Sequence, residues 1–173
     1  MEWTVEIITA LCVEYCAKCG VEFNAPVAIN PALTRTLGRC FIHSAFNTDF
    51  WSPYKMEFSQ ILLETGTDQC IKDVIMHECA HYVATYKTNK NHGHDAIFKA
   101  YCAQIGTTND GTQFFNFERK PDVKMDAVWR YTLYCEKCGG FLGGKSRNSK
   151  TLQNIRLYHS TCCHAPIILK KNW

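Results

Sequence analysis

Apolar residues near the start of the chain recur at helical steps. Val5, Ile8, Leu11, Cys12, Tyr15 and Cys19 fall three or four residues apart, which predicts an amphipathic helix from Val5 to about Cys19, capped at Gly20. After Ala25-Pro26 the period changes. Val27-Ala28-Ile29-Asn30, Arg39-Cys40-Phe41-Ile42-His43 and Lys55-Met56-Glu57-Phe58-Ser59 read as short strands, the second preceded by a turn at Gly38 and the third by Pro53. The helical step returns from Asp68 to about Tyr86 through Ile71, Val74, Ile75, Cys79, Tyr82 and Val83. It returns again from about Asp95 to Ile105 through Ile97, Phe98, Tyr101 and Ile105. A polar loop, Gly106 to Gly111, and a linker at Pro121-Asp122 are expected before a small β-type module. No internal repeat and no low-complexity tract is visible. The pattern predicts an α+β chain with an α-rich domain over residues 1–123 and a small β module over 124–173.

Composition narrows the class. A hydrophobic fraction of 46% with 20% charged residues excludes a disordered chain. Eleven cysteines are too many to ignore and, being odd in number, cannot all pair internally. The opening Met1-Glu2-Trp3-Thr4-Val5-Glu6 has no basic stretch, and Glu14 breaks the apolar run behind it, so no signal peptide is expected. No segment approaches the roughly 18 uninterrupted apolar residues of a membrane span. The expectation is an intracellular protein, cytoplasmic or associated with nucleoid or nucleus, not secreted and without a membrane partner. Cysteine clusters there usually mean metal.

Charge separates the two parts. Residues 1–123 carry a net charge of −4 and residues 124–173 one of +7. A basic module beside an acidic body suits a polyanionic partner such as DNA.

The strongest chemical signal is His77-Glu78-Cys79-Ala80-His81, the pattern H-E-x-x-H inside a predicted helix. Residues four apart share a helix face, so both imidazoles can reach one divalent cation, and neutral imidazole is a good ligand for zinc. Glu78 borders the same side, where it can take a proton from a water activated by the metal. A catalytic zinc wants a third protein ligand and an open position. Asn91-His92-Gly93-His94 follows the helix after a short polar stretch, and spacing alone does not choose between His92 and His94.

These residues resemble the SprT-like (Spartan-type) zinc metalloproteases. In that family H-E-x-x-H is followed by a short insertion and a third His four residues before an aromatic that opens the next helix. His94 lies four residues before Phe98, so the resemblance selects His94. The stretches Ala25 to Ile29, Leu37 to Cys40 and Met56 to Leu63 are similar to the family as well. The resemblance implies a helical, zincin-like metalloprotease domain with a small antiparallel sheet. It further implies zinc on His77, His81 and His94, Glu78 as general base, and protein substrates that are DNA-associated or crosslinked to DNA.

The last fifty residues carry a second metal signal. Tyr134-Cys135-Glu136-Lys137-Cys138-Gly139 is a C-x2-C-G knuckle, whose turn frees backbone N–H groups to bond thiolates. Downstream, Tyr158-His159-Ser160-Thr161-Cys162-Cys163-His164 offers the partners. His159 with Cys162 gives C-x2-C-x20-H-x2-C, close to structural zinc spacing, while Cys163 and His164 lie within reach too. The run from Cys163 to Ile167 resembles the end of a ribbon knuckle with His in place of Gly. The expected ligands of this second, structural zinc are Cys135 and Cys138 with two more from His159, Cys162 and Cys163. SprT-like proteins often end in such a ribbon, usually with four cysteines. Lys145, Arg147, Lys150 and Arg156 lie between the knuckles, with Phe141 and Tyr158 nearby, a composition suited to phosphate contact and stacking.

Cys16-Ala17-Lys18-Cys19-Gly20 mimics a knuckle but falls at a helix end with no second pair, so packing is expected of it. Cys12, Cys40, Cys70, Cys79 and Cys102 are read the same way. Trp51 and Tyr54 are candidates for a substrate groove or for the core. Two other functional classes stay open: a zinc hydrolase acting on another substrate, and a DNA-binding protein with an inactive zinc site.

Overall fold

The computed structural model describes residues 2–33, 36–44, 49–108, 120 and 128–173. The chain divides into two units, Met1–Lys120 and Pro121–Trp173. The expected linker at Pro121-Asp122 and the expected boundary at 123/124 lie outside the described residues.

In the first unit, α1 (Val5–Ala17) begins at Thr4, whose side chain accepts from the Ile7 N–H. It closes with Val21 N–H donating to the Cys16 carbonyl and Gly20 N–H to the Ala17 carbonyl, the paired bonds of a Schellman motif. β1 (Val27–Asn30), β2 (Gly38–Ser44) and β3 (Trp51–Ser59) form one sheet in the order β1-β3-β2. A small antiparallel sheet was expected. The sheet is instead mixed: β2 runs antiparallel to β3, but β1 runs parallel to it. The reason is topological. The chain leaves β1 on one side of β3 and enters β2 on the other, so only the β2–β3 pair is a simple reversal.

β3 is also longer than the sequence suggested, extending through Pro53. β1 pairs only with Met56–Ser59, and the β2 ladder is irregular between Phe41 and Ile42. Pro53, opposite Ile42, therefore sits where the ladder is one-sided and bulged, a place that tolerates a missing N–H.

A short helix α2 (Gln60–Thr65) leads into α3 (Asp68–Thr88), and α4 (Ala96–Ile105) follows. Thr67 caps α3 by accepting from the Cys70 N–H, Asp68 sits in its first turn and Lys87 in its last, each with the sign that suits the helix dipole. The core gathers Ile8, Cys12 and Cys16 of α1, Met56 and Phe58 of β3, Leu62 of α2, Ile71, Ile75, Cys79 and Val83 of α3, and Phe98 of α4, all fully buried. Cys79 points away from the ligand face of α3 into this core beside Cys12 and Cys16. None of the eleven cysteines is joined in a disulfide. No helix among the described residues is long and apolar enough to cross a membrane.

The second unit is a three-stranded antiparallel sheet, order β5-β4-β6, from β4 (Tyr131–Cys135), β5 (Phe141–Lys145) and β6 (Ile167–Lys171). Between β5 and β6 lie one short helix, Lys150–Gln153, and a 3-10 turn, Ile155–Leu157, neither of which the periodicity disclosed. The buried residues described here are few: Trp129, Thr132, Leu133, Cys135, Leu152 and Ser160.

Candidate metal centres

α3 brings His77 and His81 to one face, as their spacing requires, and their Nε2 atoms lie 3.2 Å apart. The Nε2 of His94 is 3.2 Å from each of them. The three nitrogens thus form an equilateral triangle. Tetrahedral zinc with bonds of about 2.0–2.1 Å separates its ligand nitrogens by roughly 3.3–3.4 Å, so the group fits that ion. The chemistry of the donors agrees. Burial and the neighbouring His77 and His94 depress the pKa of His81 to about 3, so this ring is neutral at physiological pH. Ring nitrogens that turn lone pairs inward repel one another, and a shared cation relieves that repulsion. His77 is buried and His94 exposed, so the triangle opens to one side, as a site that must admit water and substrate requires.

Phe98 forms the floor of the site. Its fully buried ring stacks on His81 with centroids 4.2 Å apart and meets the edges of His77 and His94 at 5.0 and 4.9 Å. One aromatic thus fixes three ring planes. Its spacing from His94 marks this residue along the chain, but not its role.

His94 reaches the triangle through the loop between α3 and α4. Asn89 leaves the helix in the left-handed region at φ 54, and Gly93 turns the chain at φ 53 with open space where a Cβ would stand, so conformation rather than room calls for glycine there. His92 is not in the triangle. Its side chain, 8% exposed, bridges Thr88 Oγ1 through Nε2 at 2.7 Å and Asp95 Oδ2 through Nδ1 at 2.8 Å. Asp95 in turn caps α4 by accepting from the N–H groups of Ile97 and Phe98. His92 therefore ties the end of α3 to the start of α4 and holds in place the residue between. We expect His92→Ala to keep the fold and weaken zinc binding at this centre about tenfold, measured by chelator competition; unchanged affinity would show the staple to be dispensable.

Beside that loop, Asp49, Trp51, Lys90, Asn91, His92 and Gly93 line an open hollow of about 610 Å³. Trp51 is thus at a groove, its N–H donating to the Asn89 carbonyl at 2.9 Å. Tyr54 is neither core nor part of this hollow. It is exposed and packs on Phe41 and His43.

Glu78 is buried under β2. Its Oε2 accepts from the Cys40 N–H at 2.8 Å, and burial raises its pKa from the ordinary 4.5 to about 7 against the lowering influence of that N–H and of Arg39. A group ionising near 7 is matched to proton transfer at neutral pH. The shift has a consequence for stability. Without metal, the unfolded chain releases this proton at lower pH than the folded one, so the Glu78 contribution turns unfavourable as pH rises from about 4.5 to 7. His81, with its depressed pKa, acts oppositely and adds stability as pH rises from about 3 to 6.5. The Glu78 effect is isolated by comparison. Metal-free Glu78→Gln should gain on the native chain across pH 4.5–7 by up to about 3 kcal/mol, read from urea unfolding at pH 5 and pH 8.

The second centre collects Cys135, Cys138, Cys162 and Cys163, whose sulfurs all lie within 4.8 Å of one another, with Cys138 and Cys162 3.6 Å apart. Sulfurs on a tetrahedral zinc with bonds of about 2.3 Å stand roughly 3.8 Å apart, so this group also fits zinc. Of the three residues left open for the last two ligands, Cys162 and Cys163 join the group and His159 does not. The C-x2-C-x20-H-x2-C alternative, with His159 as a ligand, is therefore corrected. His159 is held in an isolated antiparallel bridge with Pro166, at the mouth of the turn that carries the two cysteines.

That turn repeats the first knuckle. Cys135 N–H donates to the Gly140 carbonyl and Gly139 N–H to the Cys135 carbonyl; likewise Ser160 N–H donates to the Ala165 carbonyl and His164 N–H to the Ser160 carbonyl. Gly139 and His164 both adopt left-handed backbone, at φ 68 and φ 49. The backbone is thus an internal repeat that the side chains conceal. Cys163 matches Cys138, but Ser160 stands where Cys135 does, and Cys162 supplies the fourth sulfur instead. Ser160 is buried, and its Oγ lies 3.2 Å from the Cys135 sulfur while accepting from the Ala165 N–H. That hydroxyl, then the Cys138 N–H, draws the Cys135 thiol pKa down to about 6, whereas Cys163, against Cys138 and partly shielded, is pushed up to about 12. One thiolate forms readily while Cys162 and Cys163 resist, which is the behaviour of thiols gathered for a cation.

Cys16 and Cys19, the knuckle-like pair at the C-terminal end of α1, are buried in the core of the first unit. The sequence model of the SprT-like family matches residues 10–141, well over half the chain. No curated protein and no solved structure matches.

Proposed function

From the fact that the chain belongs to the SprT-like family, whose members are generally zinc metalloproteases, we propose that it is a zinc-dependent peptidase acting on DNA-associated or DNA-crosslinked proteins. The observation that carries this reading is the triangle of Nε2 atoms 3.2 Å apart, on a helix where Glu78 directly follows His77 and keeps its carboxyl buried. His77, His81 and His94 hold the catalytic zinc, and Cys135, Cys138, Cys162 and Cys163 hold the structural one. The catalytic ion supplies Lewis acidity, lowering the pKa of water and polarising a carbonyl. Glu78 accepts a proton from the attacking water and delivers it to the departing amine. Phe98 and the His92 staple keep the ligands in register, and β2 keeps Glu78 beside them.

The substrate class rests on charge. Residues 124–173 carry a net +7, with Lys145, Arg147, Lys150 and Arg156 between the knuckles. Such a surface neutralises phosphates and tolerates any sequence. This reading places the protein in a reducing compartment, where the ligand thiols stay reduced.

The test is cleavage of a DNA-binding protein substrate by the zinc-loaded chain, with and without DNA, over a salt series. Cleavage should require DNA and fall with salt. A chain that binds DNA but cleaves nothing is an inactive DNA-binding protein, and DNA-independent hydrolysis of another ester or amide would make it a different zinc hydrolase.

A further inference from the structure

Glu78 is seated by a single strand. Its Oε2 takes the Cys40 N–H at 2.8 Å, and Gly38, two residues earlier on β2, lies against the rest of the side chain. A Cβ built on Gly38 would stand 2.7 Å from Glu78 Cγ, 2.8 Å from Oε1 and 3.0 Å from Val74 Cγ1. Gly38 is not among the glycines with positive φ, so the requirement is one of space alone. β2 is an edge strand of its sheet among the described residues. Its outward N–H groups would otherwise serve solvent or another strand, and that of Cys40 is committed to the carboxylate.

We propose that Gly38 and the Cys40 N–H are positioning elements for the general base, a claim that rests on Glu78 having that role. The N–H fixes Oε2, and the missing side chain at Gly38 lets Cγ and Oε1 settle against the strand. Oε1 accepts no hydrogen bond among the described residues and is the oxygen left to take the proton. A bulkier residue at 38 pushes the carboxylate off this seat while leaving His77, His81 and His94 where they are. Displacing a reacting group by about 1 Å costs on the order of a hundredfold in rate.

Two measurements on the full, zinc-loaded chain test this. In the first, Gly38→Ala is assayed on a DNA-bound protein substrate with metal content and thermal unfolding in parallel. The expected result is kcat lower by about 10- to 100-fold, KM within about twofold of native, and native zinc stoichiometry. Native kcat in Gly38→Ala overturns the proposal. In the second, hydrogen exchange of the Cys40 amide is compared in the native chain and Glu78→Ala. Protection should be lost in the variant while the Phe41 amide is unchanged. Equal protection in both overturns the tie, and this arm decides the matter if Gly38→Ala does not fold. If native and Glu78→Gln chains cleave equally, Glu78 is not the general base and the positioning role falls with it; if neither cleaves, the peptidase reading itself fails. Glu78-dependent cleavage with full activity in Gly38→Ala removes only the proposal.

Discussion

Glu78→Gln should lower kcat for proteolysis by at least about 10³-fold while both zinc ions stay bound. General-base removal alone is worth about 10²–10⁴. Here the amide also keeps the shape that packs against Gly38 and Cys40, so little of the loss can be assigned to disordered structure. The readouts are single-turnover cleavage, metal analysis and thermal unfolding on the same preparations. Activity within tenfold of native, with zinc retained, would remove Glu78 from the chemistry. His94→Ala is the complementary variant. It should lose the catalytic zinc, because two imidazoles on one helix cannot hold the ion at the affinity that three give.

Removing the second zinc should unfold the C-terminal unit and leave the N-terminal one standing. The described part of that unit buries only Trp129, Thr132, Leu133, Cys135, Leu152 and Ser160. So small a core is marginal by itself. A four-thiolate zinc contributes an apparent 10–16 kcal/mol, roughly, in small metal-dependent folds. Cys163→Ser should therefore abolish the dispersed amide resonances of residues 128–173, while those of α1, α3 and α4 persist. His159→Ala should change neither metal content nor spectrum, since His159 lies outside the cysteine group. A folded C-terminal unit in the metal-free Cys163→Ser chain would show that its apolar core suffices.

The long helices were readable because their apolar faces are buried against one core. Over Asp68–Thr88 the repeat of Ile71, Ile75, Cys79 and Val83 is what the fold uses. The strand order was not readable. Val27–Asn30 has the same pattern whether it joins β3 in parallel or sits in a hairpin, and the path taken across the sheet decides between them. The repeated knuckle was only half legible: the run from Cys163 to Ile167 reads as its end with His in place of Gly, but its start at Ser160 does not. Its signature lies in four backbone hydrogen bonds and two left-handed residues, while Ser160 and His164 occupy positions where cysteine and glycine would have advertised it.

The amino-acid sequence by itself determined those site features that are local to one element. His77, Glu78 and His81 share a helix side because a helix turns once in 3.6 residues, and Cys135 with Cys138 form a knuckle because C-x2-C-G closes its own turn. Everything that needs a second element was left to tertiary structure. His94 rather than His92 completes the triangle because the Thr88–His92–Asp95 staple spends His92 on closing the loop. Cys162 and Cys163 rather than His159 complete the thiol group because the second turn carries them to Cys135 and Cys138, while His159, paired with Pro166 at the mouth of that turn, stays outside the group. Gly38 reads only as a turn residue along the chain. Its meaning comes from Glu78, forty residues on, whose side chain fills the space that a Cβ would have taken.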